Sequence, residues 1–325
     1  MMLRMKGLLL SLADLCGFSA LFRFFHRGSL TILLYHGVAP LRGPGIYNYR
    51  GKFVSPSAFE RHMRHFAKHY TILSLDEAVR ALWSGRLPKN ALAITFDDGY
   101  RNFYEHAFPI LQRLRIPAAV FLVSDFVLKR RPLWVDRLEY AIGTMKGSRD
   151  DLIRRDMTIR DELKGLDEES REKRLAKIEE EARCALADFS GDRLCYAPLT
   201  LDEIRQMHGS GITFGAHSRS HPILSKLAPQ HVREEVGGSK KDFETLTLSS
   251  VFAYPNGQRG DWNEEVERSL AESGYAAALT TIEGFNGAET PRYALRRIAM
   301  DGTDDGGAFA AIASGVRLFL RRLFL

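Results

Sequence analysis

Apolar runs that close abruptly on polar side chains recur along this chain. Ala91–Phe96 runs into Asp97-Asp98-Gly99. Alternating Leu92, Ile94 and Phe96 with β-branched Thr95 predict a buried strand, and Gly99 supplies the freedom to turn out of it. Neighbouring side chains of a strand point to opposite faces, so Asp97 and Asp98 are expected to do different work, one binding a metal and the other moving a proton. Taken alone, Asp-Asp-Gly reads equally as a simple turn. The same pattern closes Thr31–Tyr35 on His36-Gly37, Gly211–Ala216 on His217, and Ser250–Ala253 on Tyr254-Pro255-Asn256-Gly257.

Helical periodicity fills the intervals. Phe59, Met63, Phe66 and Tyr70 predict a helix over 57–70, and Ser74 with Glu77 three residues on marks the start of another. Helices are also expected over 100–115, from Leu201, over 230–246 and over 263–272, with strands at Ala118–Asp125 and Tyr275–Leu279. Strand alternating with helix implies a parallel sheet, and 325 residues fit an α/β architecture of the (β/α) barrel type. In such a barrel all the carboxyl ends of the strands meet on one face. Asp98, His217 and His221 would then converge as one oxygen and two nitrogen ligands with an open position, as catalytic zinc sites use. Pro222 disfavours helical geometry at His221, which places that pair on a loop. His62, His65 and His69 lie along one helix but border its inward face, and are not read as a metal site.

The rhythm breaks between about residues 126 and 198. Lys146 to Glu181 is dense in alternating charge with sparse leucines and isoleucines, as in a solvated helical insertion, and its position after a strand end places it near the barrel mouth. The formal net charge of +6 lies at the two ends. Arg4, Lys6, Arg23 and Arg27 against Asp14 leave +3 in residues 1–30, and Arg317, Arg321 and Arg322 give +3 in residues 315–325. The balanced body carries no basic, aromatic-interleaved stripe, so no nucleic-acid partner is expected. Both ends are apolar as well as basic. They suit helices lying in an anionic membrane interface, and equally amphipathic helices packed on the domain. Asp14 interrupts the first stretch and no small-residue exit site follows it. The expected location is therefore cytoplasmic or peripheral on the inner face of the membrane. Three cysteines, Cys16, Cys184 and Cys195, form no disulfide framework or thiolate site.

Thr95-Phe-Asp-Asp-Gly99 and His217-Ser-Arg-Ser-His221 resemble, in this order, the first two motifs of the polysaccharide deacetylases with the nodulation-protein homology domain. Phe252-Ala-Tyr-Pro-Asn-Gly257 resembles the third. The likeness covers roughly residues 31–125 and 200–300. It implies a distorted, incomplete (β/α) barrel over 31–314, interrupted by the insertion and flanked by segments 1–30 and 315–325. It also implies Asp97 as base, Asp98, His217 and His221 as ligands of a divalent metal, most often zinc, and Tyr254 and Asn256 at the oxyanion or substrate. Ala253-Tyr-Pro-Asn256 departs from the family by lacking the arginine that usually holds the base. The late Leu-x-His motif that normally carries the acid is also absent. Tyr35-His36-Gly-Val38 instead resembles the opening strand of the permuted branch, in which the acid histidine comes first, so His36 is the expected acid.

The implied activity is metal-dependent hydrolysis of an N-acyl group, acetyl or formyl, from an amino sugar of a polysaccharide, glycolipid or lipid-linked precursor. Two alternatives stand beside it. One is a catalytically silent sugar-binding barrel. The other is a haloacid-dehalogenase-type phosphatase, which would need Asp-x-Asp where this chain has adjacent acids.

Overall fold

The computed structural model describes residues 2–246, 248–300 and 308–324, leaving aside the side chains of 2–6, 192, 323 and 324. Seven parallel strands form the centre: β1 (Thr31–Tyr35), β2 (Ala91–Phe96), β3 (Ala118–Leu122), β4 (Ile212–Ala216), β5 (Leu248–Ala253), β6 (Ala277–Glu283) and β7 (Leu295–Ala299). They pair in sequence order, and β1 bonds to both β2 and β7, so the sheet closes on itself. The barrel is incomplete only in having seven strands where the full fold has eight. Its distortion lies in register shifts between β4 and β5 and between β6 and β7.

Strand periodicity sorts the side chains. Ile32, Ala93, Phe121, Val251, Leu279 and Leu295 meet inside the barrel, whose lower end is plugged by Leu75, Val79 and Leu82 of the helix Leu75–Trp83. Leu33, Leu92, Ile94, Phe96 and Val120 face outward onto Phe59, Met63, Phe66 and Leu111 of the surrounding helices. Gly215 is required by this packing, because a Cβ there would lie 2.6 Å from the Phe121 ring.

The charged insertion enters between β3 and β4. It is more than a solvated face: Trp134, Leu138, Ile142, Leu152, Ile159, Leu163, Leu175 and Ile178 bury one another, with Ile46 from the loop after β1. Its helices Trp134–Gly143, Arg149–Gly165 and Glu168–Ala182 turn their charges outward or pair them internally. Asp156 chelates the buried Arg160 guanidinium at 2.8 and 3.0 Å, and Arg137 grips Glu179 at 2.9 and 2.8 Å. The leucines that look sparse along the sequence are spaced to share one interior.

The terminal segments pack together. Leu10 and Phe309 join the outer core, and Phe22 meets Phe319 edge-on at 5.2 Å. His62 and His65 lie beneath them. His62 stacks on Phe309 at 4.3 Å, and its Nδ1 faces the Tyr35 hydroxyl at 3.0 Å. Of the basic residues at the start of the chain, the side chains of Arg4 and Lys6 lie outside the described residues.

Candidate functional site

The upper mouth of the barrel is built from strand ends. Inward positions of β2 continue from Ala91, Ala93 and Thr95 to Asp97, so that carboxylate hangs into the barrel. Its N–H donates to the Tyr35 carbonyl at 2.9 Å, extending the β1–β2 ladder by one residue. Asp98 then adopts a left-handed backbone with φ +77°, and Gly99 follows at +89°. The strained turn carries the second carboxylate out of the strand and towards the loop after β4.

That loop carries His217 and His221. The His217 Nδ1 lies 2.7 Å from the Ala253 carbonyl, which can only accept, so Nδ1 holds the proton and Nε2 is left free to bind. His217 Nε2 is 3.4 Å and His221 Nε2 is 3.6 Å from the same oxygen, Asp98 Oδ1. Ser218 and His221 both have positive φ, +64° and +61°, so the pair is presented by a strained loop and not by a helical turn. The helix Pro229–Asp242 anchors it from outside: Glu235 accepts from the N–H groups of Arg219 and Ser220 at 2.7 and 2.9 Å, and Asp242 chelates the Arg219 guanidinium at 2.8 and 2.7 Å.

Asp98, His217 and His221 thus offer three ligand atoms within 4.8 Å of one another. Asp98 Oδ1 is buried without a hydrogen-bond donor among the described residues, and so is His221 Nδ1. An orphaned carboxylate oxygen facing two imidazoles suits a divalent cation, and the O/N donor set suits zinc. Burial opposes charge on Asp98, but the adjacent His217, with His36 and His221, holds its carboxyl well below the usual range. Burial pushes His221 down to about 4. For His217 burial is outweighed by Asp97 and Asp98, which raise its pKa.

Asp97 is held differently. Arg297 on β7, fully buried, donates from Nη1 and Nη2 to the two Asp97 oxygens at 2.7 and 2.6 Å. Its Nε donates to the Thr280 carbonyl at 2.8 Å. Burial favours the neutral acid, but the guanidinium and His217 keep the Asp97 carboxyl below its usual range. Arg297 thus holds Asp97 from β7, although Ala253–Asn256 offers no arginine. Nothing in its local sequence marks it, since Leu295-Arg-Arg-Ile298 breaks the alternation expected of a strand.

His36 follows β1 with the inward parity of Ile32 and Leu34. Burial, Lys52 and Arg297 lower its pKa against the pull of Asp98 and Asp97, so the structure brings it within electrostatic range of both acids. Lys52 is a second residue the sequence did not mark: its ammonium donates to the Tyr100 hydroxyl at 2.9 Å and pairs with Asp136. Asn102 is a third. It is buried with both side-chain polar atoms unpartnered among the described residues, and it leaves Gly37 no room, a Cβ there falling 2.0 Å from Asn102 Oδ1.

Tyr254 corrects the sequence expectation. Its ring stacks on Trp262 at 4.9 Å and its hydroxyl donates to the Tyr293 carbonyl at 3.0 Å, so the side chain belongs to the outer helix packing and not to the mouth. The cause is parity: Ala253 faces in, so Tyr254 faces out. Asn256, left-handed at φ +58°, spends its amide on Asp261, while its backbone N–H makes no hydrogen bond among the described residues. Beside the histidine loop a cleft of about 520 Å³ runs between Ser220 and the insertion, lined by Phe126, Trp134, Arg137, Glu168 and Arg171.

Comparison with known proteins agrees with this geometry. The family model "Polysaccharide deacetylase" matches residues 84–278. YxkH of Bacillus subtilis, named for the same family, is 23% identical over 292 residues, 89% of this chain and 77% of that protein. A Staphylococcus aureus poly-beta-1,6-N-acetyl-D-glucosamine N-deacetylase is 36% identical over 75 residues, 23% of this chain and 26% of that one. Among solved structures, the Streptococcus pyogenes deacetylase PplD superposes with TM-score 0.60 at 20% identity, covering 88% of this chain and 98% of that one. IcaB from Ammonifex degensii superposes with TM-score 0.55 at 18% identity, covering 88% and 97%. With the aspartate pair, the histidine loop and the end of β5 all inside the matched stretch, this chain belongs to the polysaccharide deacetylase family, hydrolases that act on N-acetylated amino sugars.

Proposed function

We propose that the protein hydrolyses an N-acyl group from an amino sugar within a polysaccharide or a lipid-linked glycan, with a divalent metal, zinc by its donor set, held by Asp98, His217 and His221. The observation that carries the reading is the orphaned Asp98 oxygen facing two imidazoles, next to a second carboxylate locked by Arg297. A cation bound there would acidify water and polarise the acyl carbonyl. Asp97, kept ionised by Arg297, takes the proton of the attacking water. The unused N–H of Asn256 is available to the oxyanion as the carbonyl becomes tetrahedral. His36, within electrostatic range of both acids, gives its proton to the departing amine.

The Staphylococcus aureus relative acts by name on a β-1,6-linked N-acetylglucosamine polymer, which supports an acetyl group and a polymeric substrate. The cleft beside Ser220 supports the same choice, since it offers room beyond one sugar ring. The phosphatase alternative falls with the family match. Incubating the metal-loaded protein with a panel of N-acetyl and N-formyl amino sugars and oligomers, with assay of released acid, tests the proposal. Stoichiometric metal with no acid released from any of them would leave the silent sugar-binding barrel.

A further inference from the structure

We infer that the two N-terminal helices, with the C-terminal helix beside them, form a docking surface for an anionic lipid bilayer. The inference is independent of the deacetylase reading and rests on what these helices leave uncovered. The first helix, Met2–Leu15, sets Leu10 into the domain core but exposes Leu8, Leu9, Leu12 and Leu15, at 61%, 57%, 48% and 82%. At 100° per residue those four side chains fall within an arc of about 120° opposite Leu10. The second helix, Phe18–Phe25, repeats the arrangement. Ser19 and Phe22 face the protein, while Phe18, Leu21, Phe24 and Phe25 share another outward arc of about 120°. Phe319 of Val316–Phe324 is exposed next to Phe22.

Each N-terminal helix is therefore apolar on two faces, only one of which has a protein partner. A water-exposed helix places polar residues on its outer face, and an apolar patch of this extent marks an interaction site. Charge identifies the occupant. Within residues 7–27 the one acid is Asp14, whereas Arg27 and, on the C-terminal helix, Arg322 are exposed; Arg23 turns inward, over the Tyr70 ring. The Arg27 guanidinium lies 4.0 Å over the Phe24 ring, an apolar body with a cationic tip that suits the headgroup boundary. Length identifies the mode of attachment. Neither helix alone is long and apolar enough to cross a membrane; the two reach that length only together, bent by 81° at Cys16-Gly17, and each packs one face on the domain, which suits segments lying along an interface.

The test is co-sedimentation of the full chain with vesicles of phosphatidylcholine, alone or mixed with phosphatidylglycerol. Expected is binding to the anionic vesicles, weakened by salt, that falls by more than roughly tenfold in a Phe24→Gln/Phe25→Gln double variant. Both side chains are already exposed, so acid release from a soluble N-acetylated oligomer should be unchanged. Absence of binding by the intact chain, or binding that the double variant leaves intact, overturns the inference. So does concentration-dependent self-association that the variant abolishes in the absence of lipid, which would assign the face to a second copy of the chain.

Discussion

Arg297 closes both of its terminal nitrogens on Asp97, at 2.7 and 2.6 Å, from a position 200 residues further along the chain. Both groups are buried, so the pair has two separable consequences: it holds the β2 and β7 ends together, and it keeps Asp97 ionised next to Asp98 and His217.

Removing the guanidinium should therefore cost stability and activity through the same residue. Arg297→Gln leaves a buried carboxylate uncompensated, and is expected to destabilise the fold by about 3–5 kcal/mol. Arg297→Lys keeps the charge but not the two-pronged geometry, and should recover part of the stability with less of the turnover. Urea unfolding midpoints read against kcat for the two variants check this. An Arg297→Gln protein with wild-type kcat would show that Asp97 needs no partner.

Asp97 and the two histidines should separate by metal content. His217→Ala and His221→Ala each remove a ligand and should lose bound metal together with activity. Asp97→Asn should keep the metal and lose turnover, because its site oxygen serves the water and not the cation. Elemental analysis of purified variants alongside acid-release assays distinguishes the outcomes. Full metal retention in both histidine variants would sink the assignment of the site.

His36→Ala should abolish hydrolysis of N-acyl amino sugars while the metal stays bound. An activated aryl acetate needs no proton on its leaving group, so the variant should largely keep that esterase activity. Equal loss on both substrates would make His36 a residue that holds the mouth together.

His65 gives a pH dependence remote from the site. Burial lowers its pKa to about 4, with His69, Arg23 and His62 adding to the effect and Asp14 opposing it. The unfolded chain, with an ordinary histidine near 6.5, binds more protons than the folded one between those values. This contribution to stability is complete above about pH 6.5 and is lost as the pH falls towards 4. His65→Leu should flatten the fall in urea midpoint between roughly pH 7 and roughly pH 5. An unchanged slope would place the titration elsewhere.

Much of this protein was legible in its sequence because short-range periodicity carries it. The alternation in Ala91–Phe96 located β2 and ended it at the aspartates, and Ser74 with Glu77 caps the helix Leu75–Trp83 where it begins. The family motifs then named Asp98, His217 and His221 because those residues lie within a few positions of recognisable strand ends. Tertiary structure decided the rest. Parity showed that Tyr254 faces away from the mouth, which the residue type could not reveal. β7 was hidden because its inward position is an arginine, a residue that reads as exposed until a partner 200 positions away neutralises it. The insertion's leucines and the outward leucines of the N-terminal helix look alike in sequence. Only the packing of neighbouring elements determines which apolar faces are covered, and that depends on contacts between segments remote in the chain, which local patterns do not encode.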